Sequence, residues 1–185
     1  MLAPGRSPLT GLVKVDETEI ACRSKNDPVK GGRGRRHQGK MLVVGAVELA
    51  DGGLGPRRIR LSRVADYSAA SLHAFLATNL ALRATAKTDG WSGYPGAAPE
   101  PHVVGKMAAH IVLPWVHRIL ASLKVWAVGV YHGLRRQHLQ SYLDEFVFRF
   151  NRRRTRHAPF RSLLAIAAAQ PPRPYKMLIS REAAV

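Results

Sequence analysis

The chain has 185 residues, enough for one domain with a real core and too few for two of ordinary size. With 46% hydrophobic and 7% aromatic residues it has the composition of a folded protein, not of a disordered basic tail. Lys and Arg number 29 against 12 Asp and Glu, a formal charge of +17. A polyanionic partner explains that excess most simply, and no run of eighteen apolar residues or long basic amphipathic helix favours a membrane over nucleic acid.

In chain order, MLAPGRSPLTG lacks the apolar stretch of a signal peptide, so residence in the cytoplasm is expected. Residues 11 to 20, GLVKVDETEI, alternate apolar and polar positions and predict a half-buried strand with Asp16 near its end. Cys22 stands alone, which excludes an internal disulfide and a multi-cysteine zinc site and leaves a small apolar residue. Residues 23 to 40 carry Gly31, Gly32, Gly34 and Gly39 among Arg33, Arg35, Arg36, His37 and Lys40, and read as a flexible basic loop suited to phosphate contacts. MLVVGAVEL at 41 to 49 predicts a buried strand. Asp51-Gly52-Gly53 supplies a turn, and residues 57 to 64 alternate basic with apolar as the second, exposed-faced strand of a hairpin.

Ser68 can cap a helix reaching about Leu80, because Leu72, Phe75, Leu76 and Leu80 recur at helical spacing. A short strand at 84 to 89 ends in Thr88-Asp89-Gly90, and His102-Val103-Val104 is short enough only for a last strand. A helix is expected over 109 to 128 with Pro114 as a start or kink, and another from about Arg136 to Phe150 with Leu139, Tyr142, Leu143, Phe146, Val147 and Phe150 on one stripe. No internal repeat is visible. Strand, hairpin, helix, strand and then helices predict an α/β fold, a mixed sheet with helices against it.

Five blocks carry a resemblance: V-D-E-T (15–18), GKMLVVGAVE (39–48), TDGWSGY (88–94), LPWVHRILASLK (113–124) and HLQSYLDEFVFRFNRR (138–153). In this order they resemble the catalytic domain of bacterial insertion-sequence transposases, the group with a ribonuclease-H-like DDE core, over roughly residues 9 to 165. The resemblance implies a ribonuclease-H-like mixed sheet flanked by helices over 11 to 165, preceded by a residual linker at 1 to 10 and followed by a tail at 166 to 185. It also implies DNA cutting and joining by two-metal phosphoryl transfer, with two Mg2+ or Mn2+ ions roughly 3.5–4 Å apart. Transposon ends and target DNA are the implied partners, and a homo-oligomer the implied assembly.

Asp16 and Asp89 match the family's first two aspartates. For the third ligand, many relatives carry Glu seven residues before a helical Lys. This chain has His117 before Lys124 at that spacing, on one helical face, with His110 seven residues earlier still. Others place Asn two residues before the Lys, where Ser122 stands. His117 is the expected ligand, Lys124 the expected phosphate-contacting cation, and Glu17, Ser122 and Glu145 the alternatives, although Glu145 is expected to be solvated or paired with a basic neighbour. Arg149, Arg152, Arg153, Arg154 and Arg156 suggest a phosphate track beside such a site. Trp91 and Tyr94 suit either base stacking or, more commonly, packing beneath the loop.

The chain departs from the family in having a single cysteine, too few for the N-terminal zinc ribbon of full-length relatives, in Val125 after the helical Lys, and in Glu19-Ile20-Ala21 where Tyr-Ile-Gly is usual. Three functions are therefore weighed: an active transposase domain, a truncated remnant that only binds DNA, and a nuclease that only hydrolyses.

Overall fold

The computed structural model describes residues 6–23, 40–89, 93–97, 102–103, 113–155, 157–172 and 174–176. Its centre is the β-branched, alternating stretch of the first motif, which forms β1 (Leu12–Arg23). β1 pairs antiparallel with β2 (Lys40–Leu49), which pairs antiparallel with β3 (Pro56–Val64). Between these two strands the Asp51–Gly53 turn is a single 3-10 turn with Gly52 and Gly53 at positive φ, 73° and 75°. On the other edge β1 pairs parallel with β4 (Thr85–Thr88), and β4 with β5 (His102–Val103), giving the order β3-β2-β1-β4-β5. β6 (Leu134–Arg135) adds two parallel pairs at the far end of β1. This is the α/β, ribonuclease-H-like mixed sheet that the sequence predicts.

Helices cover both faces. α1 (Ala69–Asn79) is capped by the Ser68 hydroxyl, which accepts from the Ser71 amide. Its Leu72, Phe75 and Leu76 pack with Val13, Val15, Val44 and Ala46. The opposite face carries α2 (Pro114–Tyr131) and α3 (Leu139–Asn151), whose Ile119, Leu120, Leu123, Leu143 and Val147 pack with Ile20, Val43, Val47, Ile59 and Leu61. Odd and even residues of β1 thus serve different layers, as strand alternation requires. A left-handed His132 (φ 50°) followed by Gly133 closes α2 and turns the chain into β6. Trp126, Tyr131, Tyr142 and Phe146 then lock α2 to α3 with ring centroids 4.5–5.3 Å apart.

Several expectations need adjusting. Pro114 begins α2 and does not kink it, since a proline needs no helical N–H partner in the first turn; residues 109 to 112 lie outside the described set. The helix expected from Arg136 opens as a 3-10 turn over residues 136 to 138 before α3 begins. β3 is not the exposed-faced strand its alternation suggests: Ile59, Arg60 and Leu61 are consecutively buried, and Arg60 finds the carbonyls of Ile59 and Ser7. A helix without a predicted counterpart, α4 (Ala158–Ala168), has Pro159 in its first turn and leaves Phe160, Leu163 and Leu164 exposed. Among the described residues no helix is long and apolar enough to cross a membrane. The basic loop over 24 to 39 lies outside the described residues.

Candidate metal centre

The last parallel pair of β1 and β4 is Lys14 with Lys87. Two residues further on, the same register brings Asp16 and Asp89 side by side. Alternation turns Asp16, two positions after Lys14, toward the α2 layer, where it is 5% exposed. Asp89 follows the end of β4 and is exposed. Glu17 joins them: Asp16, Glu17 and Asp89 each offer a carboxylate oxygen within 4.8 Å of the others.

α2 supplies the fourth group. His117 Nε2 lies 3.5 Å from Asp16 Oδ2, buried and without a hydrogen bond among the described residues. Asp16 Oδ1 accepts from the Glu17 amide at 2.9 Å, and the Glu17 carboxylate accepts from the Tyr94 hydroxyl. Burial raises the Asp16 carboxyl above its ordinary range, against the pull of His117 and the Glu17 amide, with Asp89 adding to the rise. Burial likewise pushes Glu17 up to about 7 despite the Tyr94 hydrogen bond, helped by Asp16 and Asp89. The same surroundings push the Tyr94 phenol far above its ordinary value, through burial first and then the Glu17 charge.

The residue types fit a hard divalent cation, since carboxylate oxygens with one imidazole are the donor set of magnesium and, more readily, manganese. The His117 to Asp16 separation is too long and misdirected for a hydrogen bond, yet suits two donors facing one cation. The buried Nε2 has no hydrogen-bond partner among the described residues, an observation that such a ligand would answer.

The remaining expected residues divide. Lys124 is exposed two turns along α2 from His117; burial of part of its stem lowers its ammonium, with Glu19 opposing and Lys40 reinforcing that shift. Lys40 lies 3.1 Å from Glu19. Ser122 is exposed, and Glu145 is engaged by Tyr131 at 2.6 Å and by Arg149 at 2.8 Å, the pairing expected for it. Arg152 lies over the Phe148 ring at 4.1 Å, and Arg153 over Phe150 at 3.8 Å while donating to the carbonyls of Pro56, Arg57 and Phe150. Arg154 is exposed. Tyr94 is fully buried, so packing and not base stacking is its role. Cys22 packs against the α2 layer and burial pushes its thiol up to about 11, in keeping with a small apolar residue. Trp91, His110, Arg33, Arg35, Arg36 and Arg156 lie outside the described residues.

Glu17, weighed only as an alternative, proves to be part of the acidic group, and its place beside Asp16 in V-D-E-T was the available signal. The Tyr94 contact had none, because 77 residues separate donor and acceptor.

A five-stranded order with β1 at its centre, and acids where β1 and β4 lie side by side, defines the ribonuclease-H-like class of folds. Within that class the chain belongs to the ISXO2-like transposase domain family, whose model matches residues 8–151, so it is an insertion-sequence transposase domain of the DDE type. No curated protein and no solved structure matches it.

Proposed function

We propose that this domain cuts and joins DNA in insertion-sequence transposition, with Asp16, Asp89 and His117 holding two divalent cations, Mg2+ or Mn2+, and Glu17 completing the acidic group. The observation that carries this reading is the convergence of Asp16, Glu17 and Asp89 within 4.8 Å inside a chain of net charge +17. Three carboxylates gathered in so basic a protein repel one another unless a cation sits among them. When bound, such cations activate an attacking oxygen and stabilise a leaving one.

The chain's own groups do the rest. As a metal ligand His117 would present a ring-nitrogen lone pair beside Asp16, and Tyr94 fixes the Glu17 carboxylate by donating to it. Lys124, on the His117 face of α2, meets a phosphate next to the cut in this reading. Lys40, Arg149, Arg152 and Arg154, with Arg33, Arg35 and Arg36, contact the DNA backbone, whereas Arg153, expected beside them, is committed to main-chain carbonyls. Transposon ends and target DNA are the substrates, engaged in the cytoplasm by a homo-oligomer that pairs two ends.

A supercoiled plasmid with and without terminal inverted repeats, incubated with Mg2+ or Mn2+, tests the reading. Joined products that require the repeats support it, nicking without joining indicates a hydrolytic nuclease, and binding without cleavage indicates an inactive remnant. His117→Ala should lose most of the cleavage rate. Wild-type cleavage by that variant at saturating metal moves the third ligand to Glu17, Ser122 or Glu145.

A further inference from the structure

Gly45 sits in the middle of β2, a position where glycine weakens a strand and contributes nothing to packing. Its φ lies outside the left-handed region, so the backbone does not require glycine there. Space does: a Cβ at Gly45 would stand 3.0 Å from Leu120 Cδ2 and 3.1 Å from Leu61 Cδ2, tighter than ordinary van der Waals contact. In the sheet Gly45 lies between Asp16 of β1 and Leu61 of β3. Leu120 belongs to α2, one helical turn after His117 and on the same side of the helix.

From this geometry we infer that Gly45 is a positioning residue for the metal centre, setting how closely α2 approaches the sheet and so whether His117 reaches the Asp16 carboxylate. The missing side chain opposite Asp16 is the slot into which Leu120 drops. With Leu120 seated there, the helix backbone comes low enough for His117 Nε2 to stand 3.5 Å from Asp16 Oδ2. A methyl group at Gly45 presses on Leu120 and lifts the first half of α2. The Asp16 and Asp89 pairing is untouched, because it depends on the β1 and β4 register alone. The inference rests on the reading of His117 as a ligand.

The test compares the full chain with Gly45→Ala, Leu120→Val, the double variant Gly45→Ala/Leu120→Val, and His117→Ala. Mn2+ affinity is read by electron paramagnetic resonance, and the His117 imidazole signal is followed by NMR in metal-free protein, identified by its loss in His117→Ala. Gly45→Ala should weaken Mn2+ binding on the order of tenfold, the usual effect of losing a group that orients a ligand, and shift the His117 signal. The double variant, in which the helix side gives back the volume the strand side gained, should restore both, and Leu120→Val alone should bind Mn2+ as the parent does. Unchanged Mn2+ binding and an unchanged His117 signal in Gly45→Ala overturn the inference, and so does a loss that Leu120→Val fails to repair. If His117→Ala binds Mn2+ like the parent, the ligand reading itself is wrong; if His117→Ala is weakened while Gly45→Ala is not, only the positioning role falls.

Discussion

Two buried carboxylates stand three residue pairs apart on neighbouring strands, Glu48 opposite Val13 and Asp16 opposite Gly45, and their surroundings are opposite in kind. Glu48 accepts from Arg58 Nε and Nη2 at 2.6 and 2.7 Å and from the Thr10 amide and hydroxyl at 3.0 Å each. Burial alone would raise its carboxyl, but those bonds and the Arg58 charge hold it down to about 2. Asp16 has the Glu17 amide, an imidazole that does not hydrogen-bond to it, and two further carboxylates beside it. One acid is satisfied by its neighbours in the fold; the other is the one to which the proposed function assigns a divalent cation. Local completeness separates a structural acid from a site acid more sharply than burial, which the two share.

The largest effect should come from breaking the incomplete side. Asp16→Asn and Asp89→Asn each remove charge on which bound cations depend, a loss of several kcal/mol of transition-state stabilisation, or roughly a thousandfold in cleavage rate. Binding of DNA should stay near the parent's, because the basic side chains are untouched. Asp16→Asn should also raise the stability of metal-free protein on the order of 1 kcal/mol, since it removes a buried, repelled charge. A cleavage assay paired with thermal melting decides this. Retained cleavage in either variant takes that aspartate out of the site, and a lowered melting temperature in Asp16→Asn contradicts the contrast with Glu48.

Breaking the complete side should do the reverse. Arg58→Met leaves the Glu48 carboxylate buried with Thr10 as its remaining donor among the described residues, a change expected to cost about 3–5 kcal/mol of stability, toward the lower end because Arg58 is partly exposed. Mn2+ affinity of the folded fraction should not change. A urea titration giving under about 1 kcal/mol would show that the network is dispensable.

The same contrast predicts a stability maximum on the acid side of neutrality for metal-free protein. Glu48 titrates lower folded than unfolded, so its contribution is complete above about 4.5 and disappears as pH falls toward about 2. Glu17 titrates higher folded, about 7 against an ordinary 4.5, so its contribution is present below 4.5 and is lost as pH rises toward 7. Asp16 shifts in the same direction. Melting temperatures measured from pH 3 to 8 should therefore rise and then fall, and Mn2+ should lift the neutral limb selectively. A curve that climbs steadily to pH 8 without metal would remove the case for strained carboxylates.

Much of the sheet is legible in the sequence because its strands are apolar or alternating runs bounded by turn residues, and because Asp16 and Asp89 stand in distinctive motifs; β1, however, continues to Arg23, so Asp16 lies within the strand and not near its end. Periodicity misread Arg60, a basic residue buried inside β3, since alternation reports two faces and both faces of this strand are covered near its middle. Glu17 is harder to read, because neighbouring strand residues point to opposite sides, yet its carboxylate converges with those of Asp16 and Asp89. Gly45 is illegible for another reason: a strand glycine has many causes, and the ones here are the Leu61 side chain on the next strand and the Leu120 side chain 75 residues away. Glu48 reads as an ordinary polar residue at a strand end until Arg58 and Thr10 are placed around it.

The smallest effect expected is among the arginines, where the same distinction between committed and available groups applies to cations. Arg153 donates to three main-chain carbonyls at the junction of α3 and β3, whereas Arg152 lies over the Phe148 ring and Arg154 is exposed. Arg152→Ala and Arg154→Ala should each reduce the slope of log affinity against log salt for duplex DNA by about 0.9, the value for one phosphate contact, with little change in stability. Arg153→Ala should instead cost about 1–2 kcal/mol of stability, because carbonyls lose their donors, and leave the slope nearly unchanged. Fluorescence anisotropy from 50 to 300 mM salt, with melting curves on the same samples, separates the two behaviours. If Arg153→Ala flattens the slope as much as Arg152→Ala does, its guanidinium leaves those carbonyls for phosphate when DNA is present, and the division between structural and available charge does not extend to the basic face.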